Sequence, residues 1–176
     1  MSIQRKAHRS AVGRIDRTLG FGRIPAVDSA DPEAVRLLAD STEARPVAEY
    51  SRRERDQMAV LDYIIGNYDR GPRSWRTGRD GTPIAIDHGH CFPERTTEIG
   101  GIRSDFVDRA LGVPLDAQVL AAVRAVDINR MWIELLSVGV SSTASAAALA
   151  RLSEVAARGM ITGQAWPRIL PGAHDA

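Results

Sequence analysis

The sequence predicts a mainly α domain with a small β-hairpin, and three observations predict it. Apolar residues recur at three- and four-residue spacing through most of the chain, in segments opened by Ser or Asp and closed by Gly. Strand-like sequence is confined to a stretch around Trp75 and to Pro83–Ile86, bracketed by the turn signals Gly71-Pro72 and Arg79-Asp80-Gly81. The chain has 176 residues, 44% hydrophobic and 26% charged, which suits one domain with a real core. The expectation is about six or seven helices against two or three short strands.

Taken in order, Ala7, Ala11, Ile15 and Leu19 give a helix over residues 3–19, ended by Gly20 and Gly22 with Pro25 beyond. Asp31-Pro32-Glu33 starts a short helix to Ala39, with Asp as cap and Pro at the first helical position. Ser51, with Glu54 three residues on, is a capping box. The helix it opens buries Met58, Leu61, Ile64 and Ile65 and stops at Gly66-Asn67. After Phe92-Pro93 the chain is expected to be irregular through Gly100-Gly101. Ser104 caps a short helix to Leu111, Asp116 and Asp127 start two more, and Ser142 to Arg158 forms an Ala-rich helix closed by Gly159. The tail after Gly163 reads as irregular.

Composition excludes several function classes. Net charge is +1, so no global field favours nucleic acid or an anionic membrane surface. Lys6 is the lone lysine against 22 arginines, a bias that suggests a GC-rich bacterial genome. The single cysteine, Cys91, leaves no internal disulfide framework and suits a reducing cytoplasm. The polar N-terminus lacks the apolar core of a signal peptide, and no apolar run reaches the ~18–20 residues that span a bilayer. The expected location is cytoplasmic.

The chemistry concentrates in residues 61–92, LDYIIGNYDRGPRSWRTGRDGTPIAIDHGHCF. Asp69 and Asp87 each sit at a chain reversal between an apolar segment and a polar loop, the presentation that a divalent-metal phosphate site needs. The plainer reading of both is turn-initiating aspartate. Arg70 either neutralises phosphate or pins the loop through a carboxylate. Arg70, Arg73, Arg76 and Arg79 form a basic cluster around the proposed site, whereas Arg52, Arg53 and Arg55 read as a solvated helix face. Asn67 reads as a loop stabiliser. His88 and His90 share a side of an extended segment, yet no second cluster completes a zinc set with them and Cys91. Cys91 reads as a buried, inert thiol, and Trp75 and Trp132 as core.

The pattern GNYDR…SW…IAIDHG resembles the catalytic core of the atypical kinase group that includes phosphoinositide 3/4-kinases. It also looks like the secretory-pathway Golgi kinases and actinobacterial kinase-like proteins. That group carries roughly D-R-H-x-x-N and, a hairpin later, D-x-G. Here these stand as Asp69-Arg70-Gly71-Pro72-Arg73-Ser74 and Asp87-His88-Gly89. The resemblance implies that Asp69, supported by Arg70, orients or deprotonates an acceptor hydroxyl. It implies that Asp87 holds magnesium against phosphates, with Arg73 and Ser74 contributing to cofactor binding. His8 to Pro25 looks like the helix that carries a salt-bridging glutamate in that group, and residues 116–158 look like its C-terminal helices. The implied fold is a helical kinase C-lobe without a full N-lobe. It spans 1–176 as one domain: N-terminal helices (1–50), a catalytic-loop-like core (51–92) and C-terminal helices (93–176).

This sequence departs from the pattern at Ser74 for the second metal-binding Asn, Gly71 for His and Arg9 for the helix glutamate. The strand lysine and Gly-rich loop that would hold ATP are not seen, so magnesium is the implied cofactor and the pattern gives ATP little support. Three function classes follow. The first is a kinase-like protein with a degenerate phosphate and magnesium site, acting on a phosphorylated or diphosphate small molecule. The second is a nucleotide-independent cyclase or isomerase of bacterial metabolite biosynthesis that uses Asp69 as acid or base. The third is a non-catalytic pseudokinase whose apolar face, uncovered by the missing lobe, takes a second copy or a protein partner.

Overall fold

Helix formation in this chain follows its caps. A computed structural model describes residues 3–25, 32–94, 100–166 and 169–170. It contains α1 (Ile3–Leu19), α2 (Pro32–Ala39), α3 (Arg52–Ile65), β1 (Trp75–Thr77), β2 (Pro83–Ala85), β3 (Ile102–Arg103), α4 (Asp105–Ala110), α5 (Ala117–Arg124), α6 (Ile128–Ser137), α7 (Ser142–Arg158) and β4 (Ile169–Leu170). The mainly helical fold with a small antiparallel sheet is therefore as the sequence predicts. At α3 both halves of the expected capping box form: the Ser51 hydroxyl accepts from the Glu54 N–H, and the Glu54 carboxylate accepts from the Ser51 N–H. Ser104, Asp116, Asp127 and Ser141 cap α4, α5, α6 and α7, each side chain accepting from a backbone N–H of the first turn. Asp31, expected to cap α2, lies outside the described residues, as do 95–99 within the loop expected to be irregular.

The core is built around α3. From Met58 to Ile65 every residue of α3 is buried, which its single apolar stripe did not require. It packs against α4, α5 and α7 as well as against α1 and β2, so no side of its C-terminal half meets water. Of the three arginines of its first turns, Arg52 and Arg53 are exposed as expected, and all three make contacts at the surface. Arg53 pairs with Asp116 at 3.5 Å, Arg52 pairs with Asp56 at 3.7 Å and reaches the Pro114 carbonyl, and Arg55 donates to the Ala48 carbonyl at 3.1 Å. Asp56 also accepts the Asp116 N–H at 2.8 Å, tying the start of α5 to α3.

β1 and β2 pair antiparallel with Trp75 opposite Ala85, and the Arg79-Asp80-Gly81 turn joins them. The tail is not wholly irregular. β4 pairs in parallel with β3, and Trp166 before it is buried in the core with 1% exposure. The signal for that was weak, because Trp166 stands between a glycine and a proline with no apolar periodicity around it. Glu154 on α7 gathers the segment by accepting from the Thr162 hydroxyl at 2.6 Å and the Ala165 N–H at 2.6 Å. By contrast α2 exposes Val35, Leu37 and Leu38, which no described element covers. No helix of the described residues is long and apolar enough to cross a membrane.

Candidate functional site

α3 delivers the site. Its apolar run contains one carboxylate, Asp62, which is fully buried. A charged group is found there only when paired, and Arg70, eight residues on and equally buried, is the partner. The Arg70 Nε donates to Asp62 Oδ1 at 3.0 Å and Oδ2 at 3.2 Å, and its Nη2 lies 3.0 Å from Oδ1. Asn67 donates to Asp62 Oδ1 at 3.2 Å and Ser104 to Oδ2 at 2.7 Å, so both carboxylate oxygens are satisfied.

The rest of the Arg70 guanidinium faces the other way. Its Nη1 donates to the carbonyls of Ser74 and Ile86, and its Nη2 lies 3.4 Å from His88 Nδ1. One buried cation thus joins the end of α3, the loop 69–74 and the segment that carries Asp87. Arg70 lies behind the site and its guanidinium does not reach solvent; of the two roles open in the sequence, the pinning one describes its contacts. Asp62 is the residue the sequence reading missed. Its signal was a lone carboxylate inside Met58–Ile65.

Asp69 and Asp87 flank this clamp on the outside. The Asp69 N–H is held by Asn67 Oδ1 at 3.0 Å, while the Asp69 side chain is 60% exposed. Asp87 is exposed and takes φ +53°, with Oδ1 accepting the Gly89 N–H at 3.3 Å. A non-glycine residue in this region is uncommon, and Asp is among the residues that tolerate it. Such backbone strain clusters at functional sites. Ser74 is buried and its hydroxyl donates to the Asp69 carbonyl at 3.2 Å, so it braces the loop. Arg73 is exposed on the turn Pro72–Ser74.

The expected basic cluster divides. Arg76 binds the Ser41 hydroxyl at 2.6 Å and the Ser41 carbonyl at 3.1 Å, and Arg79 lies 3.8 Å from Asp40, so both turn toward the end of α2. Arg70 is internal, which leaves Arg73 next to the loop. The two histidines divide as well. His88 is buried, and burial together with the Arg70 charge holds its pKa well below the ordinary value of 6.5. It is neutral. His90 lies at the surface with Nε2 3.9 Å from Asp69 Oδ2. Cys91 is buried, and burial pushes its thiol pKa far up, leaving an inert group. Among the described residues no group of three or more His, Cys, Asp or Glu side chains is placed to hold a metal.

α1 covers the back of the Asp87 segment. His8 bonds the Gly89 backbone and packs on Phe92 with ring centres 5.7 Å apart. Arg9 stands one residue on, close enough that its charge adds to the depression of His88. A cavity of about 770 Å³ opens beside this contact, bordered by Lys6, His8, Phe92, Glu94 and Ser141. Neither Asp69 nor Asp87 is among its described lining residues.

Residues 36–110 match the sequence model of the family described as phosphatidylinositol 3- and 4-kinase. The matched stretch is kinase-like. It begins in α2 and ends with α4, so it contains Asp62, Asp69, Arg70, Asp87 and Ser104 and leaves out α1 and α5–α7. The helical architecture is consistent with a kinase C-lobe-like domain. No curated protein matches the chain.

Proposed function

We propose that this kinase-like protein binds a phosphorylated or diphosphate-bearing small molecule together with magnesium, with Asp87 at the metal end of the site and Asp69 at the hydroxyl end. The observation that supports this best is the Arg70 clamp. It fixes two exposed carboxylates on two loops that lie within the stretch matching the family model.

The donor set suits the ion. Mg²⁺ keeps several waters and takes one or two carboxylates plus substrate phosphates, in place of a closed protein cage. An exposed Asp87 that accepts one hydrogen bond leaves the remaining carboxylate oxygen for such an ion. The bound ion supplies charge neutralisation on the phosphate oxygens. Asp87 would hold it, Asp69 would orient an acceptor hydroxyl, and Arg73 would meet phosphate from the rim. Ser74 would hold the loop through the Asp69 carbonyl.

Titration calorimetry with ADP and with inorganic diphosphate, with and without magnesium, tests this. Binding is expected to require magnesium and to weaken about tenfold or more in Asp87→Asn, which keeps a residue tolerant of φ +53°. Binding that is indifferent to magnesium and to Asp87 would sink the proposal.

A further inference from the structure

Asp69 reaches a second side chain that the family pattern does not supply. Its carboxylate faces His90, from the loop that follows Asp87, with Nε2 3.9 Å from Oδ2. The loop holds His90 in place by two contacts of its own. Its carbonyl accepts the Tyr68 N–H at 3.1 Å, and its ring meets the Tyr68 ring edge-on at 5.3 Å. The side chain is 40% exposed, so the ring is partly accessible from solvent. His88, two residues earlier, is internal and bound to Arg70, so it is not available for this role.

An aspartate behind one ring nitrogen fixes the tautomer and steadies the imidazolium once the other nitrogen has taken a proton. The gap of 3.9 Å exceeds a hydrogen bond. Catalytic hydrogen bonds in unliganded sites are often long and tighten on binding. We propose that His90 is the proton acceptor of the site and that Asp69 acts on the acceptor hydroxyl through it. This rests on the phosphate reading above. In the step, the hydroxyl oxygen attacks the terminal phosphorus of a magnesium-bound di- or triphosphate while its proton passes to His90 Nδ1. The bridging P–O bond breaks, the shortened phosphate leaves with its electron pair, and the exposed imidazolium returns the proton to solvent.

Two measurements on the full chain test it. Ring-nitrogen NMR at a pH where the imidazole is neutral reads which nitrogen of His90 carries hydrogen. The Nε2–H form is expected to dominate, and Asp69→Ala should shift it toward the mixed population of free imidazole. A tautomer unaffected by Asp69→Ala overturns the pairing. The second measurement is magnesium-dependent ATP hydrolysis, with water as acceptor. His90→Gln should lower turnover about a hundredfold with the affinity for magnesium-ADP unchanged and the denaturation midpoint near that of the parent. Equal turnover in the variant, or a parent protein that binds magnesium-ADP and transfers to neither water nor glycerol, overturns the base assignment and leaves the binding reading standing. A tautomer that responds to Asp69 in a protein that binds no phosphate supports the pair and sinks the reading beneath it.

Discussion

Asp62 and Asp69 are seven residues apart and do opposite things. Asp62 is fully buried and accepts from Asn67, Arg70 and Ser104, whereas the Asp69 side chain is 60% exposed. Removing one partner of a buried pair strands the other charge, so Asp62→Ala should destabilise the fold by about 3–5 kcal/mol. Asp69→Ala should cost about 0.5 kcal/mol or less. Urea denaturation midpoints of the two variants check this, and equal midpoints would refute the division. The sequence made Asp69 and Asp87 legible, because each stands at a chain reversal after an apolar run. It left Arg70 open between two roles. Its depth could not be read, since burial of a guanidinium depends on a carboxylate, Asp62, that looks like one polar position on a helix.

At the scale of elements, the join between α3 and the Asp69 loop is closely packed. Gly66 turns it with φ +62°, and a Cβ there would stand 3.0 Å from Arg151 Nη2, 3.1 Å from Trp166 and 3.2 Å from Pro93. Arg151 is itself buried, donates to the Ile64 carbonyl at 2.8 Å from Nη2, and stacks on Trp166 with its guanidinium carbon 4.9 Å from the ring centre. Gly66→Ala therefore meets both a left-handed backbone and a crowded pocket, and should cost about 1–3 kcal/mol. The thermal midpoint reads it; a variant as stable as the parent would show that the join yields. Caps and stops placed the helices from sequence alone, because a Ser or Asp hydrogen bond at an N-terminus is local. The β3–β4 pair was not legible. Two-residue strands paired across more than sixty positions carry no periodicity of their own.

For the whole molecule, two buried histidines whose pKa values are lowered contribute to the loss of stability in acid. Burial lowers the pKa of His8 from 6.5, and burial with the Arg70 charge lowers that of His88 well below 6.5. A folded-state value below the unfolded one means that the contribution is complete above about pH 6.5 and is lost as pH falls toward the folded value. Each such group takes up to about 1.4 kcal/mol per pH unit in that window. Denaturation midpoints should fall between about pH 6.5 and pH 5, and His88→Gln should flatten that limb. A parent protein equally stable across the window would refute the assignment. Sequence spacing put His88 and His90 on one side of an extended segment, yet the chain turns at Gly89 and His90, between the two rings, and His88 is buried while the His90 side chain is 40% exposed.

The Arg70 clamp also bears on timing. A loop that must assemble around each arriving ligand limits association to the rate of its own rearrangement. Here the two loops are joined before any ligand comes, by hydrogen bonds that end on backbone carbonyls and on no substrate atom. On the proposed function, the approach of an anion to this face would be a matter of diffusion and of the local field around Arg73, and how long it stays would be where one ligand is told from another.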